Sequence, residues 1–259
     1  MKNEIVIVGI GQMGGLFGRG FLKTGHPVIP VLRVMSMEAV SAAIKDPALV
    51  LVAVAEDDLA QALEELPERW KNRVGLLQNE LLPDDWREHG IENPTVIAVW
   101  FEKKFRSPIT PLISSPIYGP KAELLGEALT ALEVPVEILD HYDDLVHALV
   151  LKNLYILTAN IAGLMGSDTV GGLLERDLDL TRSVFEDVLK LQEALTSESF
   201  NRDAIWEQLT EIFRAEPEHG SRGRSASKRL QRALQQADGQ GLELSRLLEI
   251  SRANHLQEH

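Results

Sequence analysis

Hydrophobic positions in the first half of the chain come in short unbroken runs rather than in alternation. Glu4 to Val8 reads Glu-Ile-Val-Ile-Val and stops at a glycine, and Ala48 to Ala55 reads Ala-Leu-Val-Leu-Val-Ala-Val-Ala. Val74 to Gln78 and Thr95 to Phe101 repeat the pattern more briefly. Val28 to Leu32 does so around Pro30, which removes one ladder donor. Leu112 to Tyr118 reads as one further strand. Between the runs the apolar spacing turns helical, over Met13 to Lys23, which Gly25 stops, and over Leu59 to Leu66. Continuous apolar strands separated by helices predict a parallel sheet covered on both faces.

After Asp140 the pattern changes. Asp143 to Met165, Leu180 to Leu195, Arg202 to Phe213, Ser227 to Ala237 and Leu242 to Ala253 all carry helical periodicity, and no strand is predicted there. The expected organisation is an α/β domain over residues 1–140 and an all-helical domain over 141–259. Leu145 to Met165 is apolar enough in length to span a bilayer, but Lys152, Asn153 and Asn160 lie inside it. A charge near a bilayer centre is costly, so a buried helix is predicted and no membrane association. That helix is covered either by its own domain or by a second subunit, which leaves a homodimer open.

Charge narrows the partners. The 259 residues hold 26 Lys plus Arg against 39 Asp plus Glu, a net charge of −13. A nucleic-acid binder needs clustered cations to meet the phosphate backbone, so none is expected. Trp70, Trp86, Trp100 and Trp206 are scattered without interleaved basic residues, so they form no stacking platform for bases. There is no cysteine, which excludes disulfides and thiolate chemistry and favours a reducing compartment. The start of the chain lacks the apolar core and small-residue cleavage site of a secretory signal, so a cytoplasmic location is expected. His141 and His147 have no carboxylate–histidine spacing around them, and no metal is expected.

The chemistry begins at Gly9-Ile10-Gly11-Gln12-Met13-Gly14. A G-x-G-x-x-G alone says little, but this one follows an apolar strand and opens a helix, as a dinucleotide-binding turn must. Gly9 permits the tight turn, Gly11 lets the backbone approach a pyrophosphate, and Gly14 lets helix and strand pack closely. The helix N-terminus, with Gln12 and Met13 in its first turn, offers N–H groups to the phosphates. The predicted fold is a Rossmann-type doubly wound sheet followed by the all-helical domain. NAD-binding chains carry an acid about 20 residues beyond the loop, on the ribose 2′-hydroxyl. Here Arg33 stands 19 residues beyond Gly14, at the end of the second strand, and Glu38 lies further on. An arginine suits a 2′-phosphate, so NADP(H) is the expected cofactor, the competing reading being an ordinary surface arginine.

Three features together resemble the ketopantoate reductase family, within the group that includes 6-phosphogluconate dehydrogenase and β-hydroxyacid dehydrogenases. They are the run Ile5 to Gly18 followed by Gly25-His26-Pro27-Val28 through Arg33, the segment Leu76-Leu77-Gln78-Asn79, and Leu151-Lys152 with Asn160 eight residues later. The likeness is clear at the N-terminus and loose after about residue 170. It implies reduction of a small 2-oxo acid by NADPH between two domains, with a helix-borne lysine as proton donor. Lys152 matches that lysine. Hydride addition to a ketone builds negative charge on oxygen, which an ammonium group stabilises and protonates. The competing reading is a lysine snorkelling to solvent. Asn160 lies about 12 Å along the helix from Lys152. It either bonds a substrate carboxylate or hydroxyl, or satisfies buried carbonyls. Asn79 would hold the cofactor ribose or the substrate, or simply form a turn.

The chain departs from the family pattern at four places. Ile156 stands where an asparagine follows the lysine, Ala55 where a lysine follows the third strand, and Glu80 where Gln-Asn is followed by glycine. The family's late glutamate falls near Ser225, the expected substrate contact. Arg214, Arg222, Arg224, Lys228, Arg229 and Arg232 form a basic segment, read either as a mobile loop closing over a small anionic substrate or as a solvated surface. A β-hydroxyacid dehydrogenase with another substrate, and a non-catalytic NADP(H)-binding protein on the same fold, are the alternatives.

Overall fold

In the computed structural model, which describes residues 2–103 and 107–257, the unbroken apolar runs become strands. The chain divides into two compact units, Met1–Leu149 and Val150–His259. The first opens with β1 (Ile5–Val8), α1 (Gln12–Lys23), β2 (Val28–Val31), α2 (Met37–Ala43), β3 (Leu49–Val52) and α3 (Leu59–Glu64). It continues through β4 (Val74–Leu76), α4 (Asp84–Arg87), β5 (Thr95–Ile97), β6 (Phe101–Lys103), β7 (Ile109–Pro111), β8 (Ser115–Tyr118), α5 (Ala122–Thr130) and β9 (Val136–Ile138). Seven strands form one sheet in the order β2-β1-β3-β4-β5-β8-β9.

The sheet explains why its strands are apolar at every position. Ile5, Ile7, Leu49 and Leu51 face a core built with Phe17 and Phe21 of α1 and Leu125 and Leu129 of α5. Val6, Val50 and Val52 alternate with them and are buried on the opposite face. β2 lies at the sheet's edge and pairs with β1, placing Pro30 opposite Ile7. That edge position accommodates a residue that cannot donate.

The doubly wound architecture is the predicted one, with a change of direction near its end. β2, β1, β3, β4 and β5 are parallel, whereas β8 joins β5 antiparallel and β9 then runs parallel to β8. The cause is the connection. Between β5 and β8 the chain makes the β6–β7 hairpin instead of a crossover helix, so it re-enters the sheet running the other way. The β6–β7 hairpin, α4, α5 and β9 are additions to the predicted set, and the strand expected from Leu112 begins at Ser115.

Strands end at Ile138, and α6 (Tyr142–Ala162) follows, with the division between the units falling inside it. By length and composition alone α6 could cross a membrane, but 78% of its most apolar window is buried within the protein. The second unit adds α7 (Val170–Glu175), α8 (Leu178–Thr196), α9 (Arg202–Ala215), α10 (Ala226–Gly239) and α11 (Ser245–Gln257). Its core includes Phe185, Val188 and Leu189 of α8, Leu209 and Phe213 of α9, and Leu247 and Ile250 of α11. Polar ties are local and directional. Asn153 donates to Gln192 at 2.9 Å, joining α6 to α8, and Asp187 accepts the backbone N–H groups of Arg246 and Leu247 at the start of α11.

Asp177, just before α8, accepts from the backbone N–H of Ser167 at 2.8 Å and from its hydroxyl at 2.5 Å. These bonds favour the ionised carboxylate and hold its pKa below the usual value. A carboxylate depressed in the folded state contributes stability above its unfolded pKa, and that contribution is lost as pH falls through the folded one. Asp177→Asn is therefore expected to lower stability at neutral pH, with the deficit closing in acid. Urea denaturation of both chains across the acidic range measures it, and a deficit independent of pH would contradict the assignment.

Candidate functional site

The carboxyl ends of β1, β2 and β3 come together because β1 is flanked by the other two. The connection from β1 runs to β2 on one side and the connection from β2 crosses to β3 on the other, and such a switch point opens a crevice at the strand ends. The glycine loop leaves β1 there. Gly9 has φ +89°, the left-handed region that glycine adopts freely. A Cβ on Gly14 would lie 2.0 Å from the carbonyl oxygen of Gly9, so the first turn of α1 is pressed against the loop that precedes it.

Gly11 is different. A Cβ there would meet nothing within 4 Å, and its φ of −78° suits any residue. The protein's own packing thus accounts for Gly9 and Gly14 but places no demand on Gly11. Gly11 sits at the N-cap of α1 with no side-chain cap, and the first turn carries no acid. The helix's positive end is left facing the crevice without a carboxylate. Gln12 is exposed, while Met13 packs its side chain against the core and contributes to the loop through its backbone. An anion with close backbone contact fits this cradle.

Arg33 follows β2 and is paired with Asp58 at 2.7 Å, with side chains 86% and 45% exposed. Asp58 ends a short turn, Glu56–Asp58, that follows β3. Because β2 and β3 flank β1, the pair spans the carboxyl edge from which the glycine loop departs. Leu32, Val34 and Met35 beside Arg33 are exposed apolar side chains. The acidic run Glu56-Asp57-Asp58 was visible in the sequence directly after an apolar strand, but its closeness to Arg33 depends on strand order.

At the end of β4, Gln78 is buried and donates to the carbonyls of Val52 at 2.8 Å and Val54 at 3.2 Å, while its own oxygen accepts from Leu77 N–H. It ties two strand ends together. Asn79 donates to Glu56 at 2.8 Å, which brings it into the same corner as the Asp58 turn. Glu80 adopts φ +60°. This is the position at which the resembled family carries glycine, and its backbone conformation is one that glycine relieves.

The other expected residues lie in the second unit. Lys152 is only 3% exposed, which removes the reading of a snorkelling side chain. Eight residues at 3.6 per turn place Asn160 about 80° round α6 from Lys152 rather than squarely on the same face. Asn160 donates to the Ser221 carbonyl at 3.2 Å and accepts from Arg229 at 2.8 Å. It therefore anchors the basic segment to α6. Ser221, fully buried and not marked by the sequence, donates through its hydroxyl to Ser167 at 2.6 Å and through its backbone to Asp168 at 2.9 Å. Val170 and Gly171 donate to His219 and Pro217. The stretch before α10 is thus stitched to α6 and the start of α7, while Arg222 and Arg224 remain exposed. Ser225 stands at the N-cap position of α10, exposed, with no side-chain cap bond.

No protein-family model and no curated protein matches the chain. Solved structures do. A PanE/ApbA family ketopantoate reductase from Ralstonia eutropha JMP134 is 19% identical over 99% of this chain and 100% of its own, with a TM-score of 0.68. A dimeric ketopantoate reductase from Staphylococcus aureus is 15% identical over 99% and 100%, at 0.66. A D-mandelate dehydrogenase solved with NADH is 12% identical over 98% of each chain, at 0.68. At these identities the likeness establishes the fold.

The two helix-proximal glycines should separate experimentally. Gly14→Ala forces the Cβ into the Gly9 carbonyl and is expected to cost about 3 kcal/mol or to prevent folding. Gly11→Ala should cost no more than about 1 kcal/mol, the N-cap preference for glycine over alanine. Thermal and urea unfolding of both variants checks the contrast, and equal losses would show that Gly11 also serves packing.

Proposed function

We propose that this chain is a nicotinamide-dependent oxidoreductase that reduces a small 2-oxo acid to a 2-hydroxy acid with NADPH. The observation that carries the reading is Gly11, a glycine that the protein's own packing does not require, at the uncapped head of α1. A pyrophosphate approaching that backbone supplies the requirement. The fold shared with ketopantoate reductases and a D-mandelate dehydrogenase supports the same class of chemistry.

In this reading the N–H groups around Gly11, Gln12, Met13 and Gly14 bind the pyrophosphate, and Arg33 meets the 2′-phosphate. Asn79 gives its N–H to Glu56, which leaves its carbonyl oxygen to accept from a ribose hydroxyl or the substrate. The reduced nicotinamide, when bound, supplies a hydride. Lys152 donates the proton that the substrate oxygen takes as its carbonyl becomes an alcohol, and its ammonium charge offsets the developing negative charge. Asn160 holds the segment bearing Ser225 and the exposed arginines, and Ser225 contacts the substrate carboxylate. The dimeric state of the Staphylococcus aureus neighbour supports a homodimer as part of the reading.

Ile156 and Ala55, standing where the resembled family places an asparagine and a lysine, favour the second reading of a cofactor-binding protein without turnover. The two separate cleanly. Fluorescence titration should show binding of reduced nicotinamide dinucleotide, and a panel of 2-oxo acids should then reveal turnover. Lys152→Ala is expected to lower kcat by about a thousandfold with cofactor affinity retained. Absence of binding would overturn the proposal at its base, and binding without turnover would leave the second reading.

A further inference from the structure

The Arg33–Asp58 pair, resting on the functional reading above, carries a further consequence for cofactor choice. We infer that Asp58 is a specificity-determining residue, which holds Arg33 and thereby weakens the preference for NADPH over NADH that the arginine would otherwise confer.

Arg33 ends the β2 connection and Asp58 the β3 connection, and their side chains meet at 2.7 Å across the carboxyl edge of β1. That is where the adenosine half of a dinucleotide bound to the glycine loop must lie, since the ribose is read at the end of the second strand. A 2′-phosphate carries close to two negative charges and takes a guanidinium in paired N–H bonds. To do so here it must draw Arg33 from Asp58 or share it, with the carboxylate still a few ångströms away. A 2′-hydroxyl faces neither penalty, and Asp58 is an acceptor of the kind that NAD-binding turns present to it.

Arg33 is largely solvated and Asp58 nearly half exposed, so the effect is modest. Exposed ion pairs are worth up to about 1 kcal/mol, which corresponds to about a fivefold change in affinity, and salt screens them. Asp58 thus tunes the preference and does not reverse it. The sequence alone pointed to Arg33, but the acid that opposes it comes from a different strand.

The test is a binding measurement and requires no turnover. NADPH and NADH are titrated separately, by nucleotide fluorescence, against the unaltered chain, Asp58→Asn, Arg33→Ala and the double variant, at low and high salt. Thermal melts confirm that each variant is folded. The ratio Kd(NADH)/Kd(NADPH) is expected to rise about fivefold in Asp58→Asn at low salt through tighter NADPH binding. The rise should shrink at high salt and be smaller when Arg33 is already alanine. An unchanged ratio with both nucleotides still binding would overturn the role of Asp58 and leave the functional reading standing. Binding of neither nucleotide by any of the chains would overturn both.

Discussion

The contact between Gly14 and the Gly9 carbonyl sets the geometry on which the candidate site depends. With 2.0 Å separating that oxygen from where a Cβ would be, no other residue lets α1 start so close to the end of β1. Closeness at this point sets the first turn of α1, with its free N–H groups, at the carboxyl end of β1. It also sets α1 against the sheet face that carries Ile5, Ile7, Leu49 and Leu51, so that Phe17 and Phe21 reach the core. One steric condition therefore serves packing on one side and, in the proposed reading, anion recognition on the other.

Electrostatics make that local arrangement necessary. A chain with a net charge of −13 repels a polyanionic ligand at long range. In the proposed reading recognition comes from fixed, short-range donors, and an uncapped helix terminus with no acid in its first turn is such a donor set. Acids nonetheless surround it. Glu56 engages Asn79 and Asp58 engages Arg33, so two of the polar groups expected to meet ligand are held by carboxylates.

What could be read from the sequence was whatever short-range physics decides. The runs at β1 and β3 are apolar throughout because they are buried on both faces, and the glycine loop follows β1 because a tight strand-to-helix turn needs it. Lys152 stood out because a lysine in an apolar helix is costly. Less was legible where long-range pairing decides. Val136-Glu137-Ile138 has too few residues to mark a strand and becomes one only beside β8. The antiparallel entry of β8 follows from a hairpin, not from any pattern in Ser115 to Tyr118. Arg33 and the acidic run ending at Asp58 were each visible, but their pairing was not, since 25 residues separate two side chains that strand order brings together. Asn160 was visible as a buried polar group, while its partners Ser221 and Arg229 lie 61 and 69 residues away.

Pro30 carries one further consequence. β2 is an open margin of a seven-stranded sheet, and an open margin is a template on which another chain can extend the ladder. Self-association by that route leads to aggregates as readily as to defined assemblies. A proline in the middle of a four-residue margin withholds a donor there, so an incoming strand meets an interrupted row. The same residue that marks β2 as peripheral thus opposes continuation of the sheet at this one margin, β9 forming the other.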